Sequence, residues 1–339
     1  MSTSSDNVSS PGTRRVSEPV KPGQPLVTHI FTADPSAHVF EGRLYIYPSH
    51  DIESHVAEDD EGSHFAMVDY HVLSMDDVDA EVIDHGPALH VRDVPWADKQ
   101  MWAPDAAYLN GAYQLFFPAK DRAGIFRIGV ATSERPHGPF TARPKPIAGS
   151  FSIDPCVFVD DDGQAYMYFG GLWGGQLEHW QKGHFEPSAD GPPPIAPALC
   201  PRVGKLSHDL SAFAGGVRDV SIVDAAGQPL KAGDTERRFF EASWLHKHDG
   251  TYYFSYSTGD THFIVYATSK SPLGPFTWRG QILKPVLGWT THHSIVEFRG
   301  RSYLFYHDSS LSGGVTHKRC VKVAPLSYAS DGSILEVKP

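Results

Sequence analysis

Five times in this 339-residue chain a turn glycine is followed by an aromatic-rich run: Gly42-Arg-Leu-Tyr-Ile-Tyr, Gly111-Ala-Tyr-Gln-Leu-Phe, Gly163-Gln-Ala-Tyr-Met-Tyr, Gly250-Thr-Tyr-Tyr-Phe-Ser and Gly300-Arg-Ser-Tyr-Leu-Phe. Each run follows another short β-prone segment that ends in a polar turn, such as Asp-Asp-Asp-Gly163 or His-Asp-Gly250. β-Branched and aromatic residues on both sides of an Asn-Gly or Asp-Gly turn are a strong local signal for a β-hairpin. The glycines are 69, 52, 87 and 50 residues apart, and the phrase ATSERPHGPF at 131–140 returns as ATSKSPLGPF at 267–276, about two units later. A unit of about 64 residues suits a four-stranded sheet with its loops. Such units cannot bury their faces alone, and stacking them radially into a ring also protects their edges. The chain is therefore predicted to be all-β, a five-bladed β-propeller with four-stranded antiparallel blades. No segment sustains a 3.6-residue period, so little helix is expected. The ring takes residues 25–339 as one domain. The Ser/Pro/Thr-rich residues 1–24 are expected to be a disordered tail, and the long stretch Leu172 to Arg237 a set of loops on one face.

Composition narrows the function. With 29 Lys and Arg against 40 Asp and Glu, the net charge is −11, which lacks the basic surface that nucleic acid binding draws on. No run approaches the roughly 18 apolar residues of a membrane span. Neither a nucleic acid nor a membrane is an expected partner. Cys156, Cys200 and Cys320 are far apart, without a Cys-x-x-Cys pair, and are expected to be buried thiols rather than a disulfide framework or a zinc site. Arg14-Arg15 is followed by no apolar segment within the tail, so the protein is expected to be cytoplasmic.

In a propeller the first strand of every blade lines the axis, so equivalent positions converge. Eight or nine residues before the five turn glycines stand Asp34, Trp102, Asp154, Glu241 and His292. Three carboxylates entering one cleft from separate strands push their pKa values apart, which lets one site hold a protonated acid beside an ionised base. Phe239-Phe240 precedes Glu241, and an apolar setting disfavours a carboxylate, so Glu241 is the better acid and Asp34 the better base. Asp34 and Asp154 each precede a proline, which biases both to extended backbone. Trp102 offers a flat wall for a sugar ring, whereas Trp244 is expected in the core. Asp105 fits a channel acid or a residue that pins strands. His292 and His293 point to opposite faces of a strand, and the register puts His292 on the axis, where it could bind a metal, polarise a carboxylate or fill space. Asp160-Asp161-Asp162-Gly163 lacks the alternating acids and downstream Glu of a calcium loop and reads as a turn.

The segments Thr-Ala-Asp34-Pro, Trp102-Ala-Pro-Asp105, Ile-Asp154-Pro, Phe-Glu241-Ala-Ser and His292-His-Ser-Ile, one per blade and in this order, resemble glycoside hydrolase family 43. The resemblance covers everything from about residue 25 onward. It implies an inverting exo-glycosidase that removes terminal pentoses from oligosaccharides, a β-1,4-xylosidase acting on xylo-oligosaccharides or arabinoxylan fragments first of all. The alternatives are an α-L-arabinofuranosidase or exo-arabinanase of the same family, or a non-catalytic sugar-binding propeller. The resemblance further implies Asp34 as general base, Glu241 as general acid, Asp154 as the residue that tunes and orients the acid, and Arg319 as a contact to the sugar. It implies that His292 helps hold Ca²⁺ at the axis, largely through water. A retaining fructan or sucrose hydrolase has the same architecture, but its Asn-Asp-Pro-Asn-Gly start is absent and Glu241 is followed by Ala instead of Cys.

Overall fold

A computed structural model describes residues 14–15 and 21–339 of the chain. The tail expected to be disordered therefore lies mostly outside the described residues. Within them Arg14–Arg15 pairs antiparallel with Val82–His90 as an extra outer strand.

Five antiparallel sheets form the predicted ring. Blade I is built from Phe31–Phe40, Arg43–Asp51, Asp69–Met75 and Val82–His90. Blade II has Asp105–Leu109, Ala112–Asp121, Phe126–Ser133 and Thr141–Ala142, with Ala97–Lys99 alongside. Blade III comprises Cys156–Val159, Ala165–Phe169, Arg202–Leu206 and Phe213–Asp219. Blade IV comprises Glu241–His248, Thr251–Ser257, Ile264–Ser269 and Phe276–Leu283, with Ile222–Val223 running parallel to its outer strand. Blade V has three strands, His293–Phe298, Arg301–Asp308 and Cys320–Leu326. The only described helices are short 3₁₀ turns, and none is long or apolar enough to cross a membrane.

Four of the five hairpin turns place both central residues at positive φ, as Glu41-Gly42, Asn110-Gly111, Asp249-Gly250 and Arg299-Gly300, the twist that matches right-handed strands. In the fifth, Gly163 N–H bonds back to Asp160, and the Asp160 carboxylate accepts from Tyr252 and Lys247 of blade IV. This run is a turn, as expected.

The aromatic-rich strands work by alternation. Along Arg43–Asp51, Leu44 and Ile46 enter the core shared with blade V, whereas Tyr45 and Tyr47 enter the core shared with blade II. A period of two thus buries both faces of one strand between neighbouring sheets. The repeated phrase has a packing role too: the Tyr47 hydroxyl donates to the Pro136 carbonyl, and the Tyr168 hydroxyl to that of Pro272, each reaching from one blade to the next.

Two expectations change. The stretch Leu172 to Arg237 is not all loop, because Arg202–Leu206 and Phe213–Asp219 complete blade III. Their pattern is masked by glycine: a Cβ on Gly204 would stand 2.3 Å from the Phe213 ring that lies across it. Of the thiols, Cys156 and Cys320 are buried but Cys200 is only partly so.

Among the described residues blade V has no fourth strand of its own, and the ring closes there. Gly23, Leu26 and Thr32 donate backbone N–H groups to Val323, Val321 and Arg319 in turn, so the segment before blade I, with the start of its first strand, covers the free edge of the last strand. Leu26 and Val27 are fully buried between blades I and V. Replacing Leu26 by Ala leaves a cavity at this seam and is expected to cost about 2–5 kcal/mol, read as a lower urea midpoint with an unchanged slope. A midpoint within error of wild type would show that the segment belongs to the tail and not to the ring.

Candidate active site

One cavity of about 250 Å³ opens at the axis, and Asp34, Trp102, Asp154, Glu241, His292 and Arg319 all line it. Every blade contributes. The six residues singled out in the sequence are thus brought together, with the first five within about three residues of the starts of the inner strands.

The backbone is bent where the acids sit. In blade I Ala33 pairs with Ser49 and Ser36 with Tyr47, and in blade IV Glu241 pairs with Ser257 and Trp244 with Ser255. Each inner strand therefore carries one extra residue, a β-bulge of the kind that re-aims a side chain near a site. Asp34, Asp154 and Ala242 have φ of 48°, 55° and 62°. The extended backbone expected before Pro35 and Pro155 is not adopted: at these positions the bend of the chain outweighs the bias from proline, and Asp tolerates the left-handed region better than most residues.

Asp34 is the ionised carboxylate. Burial works against its charge, but Arg319 Nη1 stands 3.0 Å from Oδ1 and more than offsets that, holding the pKa below the ordinary value. His307 and His292 face it as well, yet burial lowers both their pKa values, so Arg319 is the cation that counts at neutral pH. His307 Nδ1 accepts the Asp34 N–H at 2.9 Å while Nε2 lies 3.0 Å from the Thr290 carbonyl, which fixes a neutral ring with the proton on Nε2. Arg319 is held in turn by Asp51, which accepts from its Nε, Nη2 and backbone N–H. His29, although close to Asp34 in sequence, bonds Asp84.

Glu241 is the reverse case. Burial, and then the negative charge of Asp34, push its pKa up to about 8 against the pull of Arg319. Asp154 is raised by burial and by Glu241 and Asp34. It accepts the backbone N–H of Ala242 at 2.8 Å, so it grips the chain next to Glu241. Asp154 and Glu241 cannot both ionise beside Asp34, and the pair retains a proton near neutral pH.

Around this centre Trp173, Phe240 and Trp289 form an aromatic group with ring centroids 5.1–6.0 Å apart. The Trp102 indole N–H donates to the Phe65 carbonyl and its ring packs on Phe126. Gly174 lets residues 172–175 close on the acidic loop of Glu58, Asp59 and Asp60, since a Cβ there would stand 2.7 Å from the Glu61 carbonyl. Asp105 is outside the cavity lining and accepts from Ser36, His38 and the Val157 N–H, joining blades I, II and III, so its role is to pin strands. Trp244 is in the core, as expected. His293 is fully buried against Ser255.

Both ring nitrogens of His292 are buried and have no hydrogen-bond partner among the described residues, with Nε2 3.8 Å from Asp154. An orphaned imidazole at the axis fits an ion held through its water shell. It does not fit direct calcium coordination, which needs six to eight oxygens.

Asp51 and His307, which position Arg319 and Asp34, were missed in the sequence. They lie nine and seven residues after turn glycines Gly42 and Gly300, at the ends of second strands that return to the same face. Counting forward from each turn as well as back would have reached them.

The sequence profile of "Glycosyl hydrolases family 43" matches residues 24–184 and 218–334. "Xylosidase/arabinosidase 43A" of Humicola insolens is 60% identical, over 93% of this chain and 99% of its own length. A "Beta-xylosidase" of Xylanibacter ruminicola is 50% identical, over 91% and 97%. Among solved structures, a GH43 β-xylosidase/α-arabinofuranosidase from a compost microbial metagenome, in complex with xylotriose and in calcium-free form, has 58% identity and a TM-score of 0.91, over 96% of this chain and 98% of that one. A GH43_1 enzyme of Xanthomonas citri complexed with xylose has 59% identity and a TM-score of 0.88, over 92% of each chain. Matched over most of its length by the family profile and alike to these relatives over nearly their whole length, the chain belongs to family 43 of the glycoside hydrolases.

Proposed function

We propose that the protein is an inverting exo-β-1,4-xylosidase that releases terminal xylose from xylo-oligosaccharides. The observation that carries this reading is the electrostatic asymmetry of the cavity: Asp34 is held ionised by Arg319, and Glu241 is kept protonated by burial and by Asp34. A base and an acid in one cleft are what single-step hydrolysis with inversion needs. Asp34 takes a proton from a water, whose oxygen bonds the anomeric carbon. Glu241 gives its proton to the glycosidic oxygen as that bond breaks. Asp154, through Ala242 N–H, orients Glu241 and keeps its proton in place. Arg319, already facing the cavity, offers hydrogen bonds to sugar hydroxyls, and Trp102 supplies an apolar wall. The cavity is small, about 250 Å³, which suits a chain end over a threaded polymer.

The relatives from Humicola insolens and from compost are named for both xylosidase and arabinosidase activity, which favours terminal α-L-arabinofuranose as a second substrate. Calcium belongs to the same proposal: His292 would hold the ion through water, and the ion would supply positive charge to the carboxylates at the axis.

Glu241→Ala is expected to lower kcat/KM on xylobiose by about 10²–10⁴ but far less on 4-nitrophenyl β-D-xyloside, whose leaving group needs little protonation. Equal losses on both substrates would refute the acid assignment. Proton NMR of the first product from a β-xyloside should show α-xylose; β-xylose would exclude inversion.

The pH profile of kcat/KM gives a separate test. Activity needs Asp34 ionised and Glu241 protonated, so the alkaline limb should fall near pH 8, where Glu241 loses its proton. Arg319 lowers the pKa of both carboxyls. Arg319→Met should therefore move the acid limb to higher pH by about 1–3 units and the alkaline limb in the same direction. An acid limb that stays in place would mean that Arg319 does not hold Asp34 ionised.

A further inference from the structure

Away from the axial cavity, blade I gathers a second constellation of ligating side chains. His50 lies near the end of Arg43–Asp51, and Asp69 and His71 open the next strand. Ser49 pairs with Tyr70 in the register, so His50 stands opposite Asp69, while Asp69 and His71, two residues apart on a strand, share a face. One ligating atom from each of the three lies within 4.8 Å of the other two. His50 Nδ1 is 2.6 Å from Asp69 Oδ1, and the two imidazole centroids are 4.6 Å apart.

The surroundings are built to orient such ligands. His71 Nδ1 is 2.9 Å from Asp84 Oδ1, and Asp84 also accepts the Gly86 N–H and contacts His29 Nε2. A carboxylate can only accept, so Nδ1 of His71 carries the proton and Nε2 keeps its lone pair. A metal-binding histidine commonly hands its other ring N–H to a carboxylate in this way. The His50, Asp69 and His71 side chains retain 18%, 12% and 10% of their exposure, which leaves a path for an ion.

We propose that His50, Asp69 and His71 bind a zinc ion, with water as the fourth ligand. Two imidazoles and one carboxylate are a donor set for zinc and its late first-row neighbours, not for calcium or magnesium, which select oxygen. Zinc bonds of about 2.0–2.1 Å put tetrahedral ligands about 3.3 Å apart, so the ion takes the place of the proton between His50 and Asp69, their 2.6 Å pair opens, and side-chain rotation brings His71 to the same distance. The ion ties the second and third strands of blade I together. Through Asp84 and His29 it also ties in the fourth strand and the segment that closes the ring. Its role is structural, and the proposal is independent of how the axial cavity is read.

The test uses the full chain, stripped with a chelator and returned to calcium-containing buffer. Titration with Co²⁺ should give the visible bands of a four-coordinate site at one equivalent, and added Zn²⁺ should bleach them. Saturating Zn²⁺ should raise the thermal midpoint by about 4 °C. His50→Gln and His71→Gln should each abolish the bands and the shift, whereas His292→Gln, at the axis, should keep both. Asp84→Asn leaves all three ligands in place and should weaken Zn²⁺ binding by about 10–100-fold at unchanged stoichiometry, so it reports on the site even if a ligand variant folds poorly. Absence of stoichiometric Co²⁺ or Zn²⁺ binding by the wild type would overturn the proposal. So would binding that survives in folded His50→Gln or His71→Gln, or that is lost in His292→Gln.

Discussion

Arg319 is 3% exposed, and its charge is divided between two carboxylates, Asp34 at 3.0 Å and Asp51 at 2.7 Å. An unpaired guanidinium at this depth would cost several kcal/mol, and removing one partner of a buried pair is destabilising for the same reason. The three residues come from blades I and V, the first and last of the ring. The backbone around Arg319 also carries the closure, because its carbonyl accepts from Thr32 and the next N–H but one, that of Val321, bonds the Thr32 hydroxyl. The ion pair that sets the charge of the base is thus part of the seam that shuts the propeller.

That placement explains why the site needs the whole ring. A blade buries its aromatic strands only against its neighbours, so none of the five axial positions, Trp102 included, is fixed until all the sheets have packed. Once they have, Asp34 is paired with a cation and Glu241 is not, although both are deeply buried. The difference between base and acid therefore comes chiefly from one residue just before the last strand, and burial alone would have raised both carboxyls.

Much of this was legible in the sequence, for a geometric reason. Hairpins declare themselves through their turn glycines, and a count of eight or nine residues back from each turn reaches one axis, although the regular part of the inner strands runs from four to ten residues. Asp34, Trp102, Asp154, Glu241 and His292 were found by that count. What escaped it depends on other strands or on local bending. Asp51 and His307 sit at the ends of second strands, and the positive φ of Asp34 and Asp154 follows from how the inner strands bend and pack, not from their neighbours in sequence. The outer strands of blade III are hidden because Gly204 makes room for Phe213, and an element stabilised by a ring lying over a glycine carries no alternating pattern.

The same physics gives the acid a stability consequence opposite in sign to that of the base. Asp34 has a pKa below its unfolded value, so its pairing contributes stability that is present above that value and is lost as the pH falls through the folded pKa. Glu241 has a pKa raised from 4.5 to about 8, so between those values the folded chain holds a proton that the unfolded chain has released. Stability from this group is full below 4.5 and declines as the pH rises towards 8. At neutral pH the fold therefore carries Glu241 at a cost, and retains it protonated because its neighbours are the apolar Phe239 and Phe240, both 1% exposed, and an ionised aspartate. A group that weakens the fold at the pH where it is ready to donate a proton fits placement for chemistry, whereas the Arg319 clamp across the seam helps the ring to tolerate it.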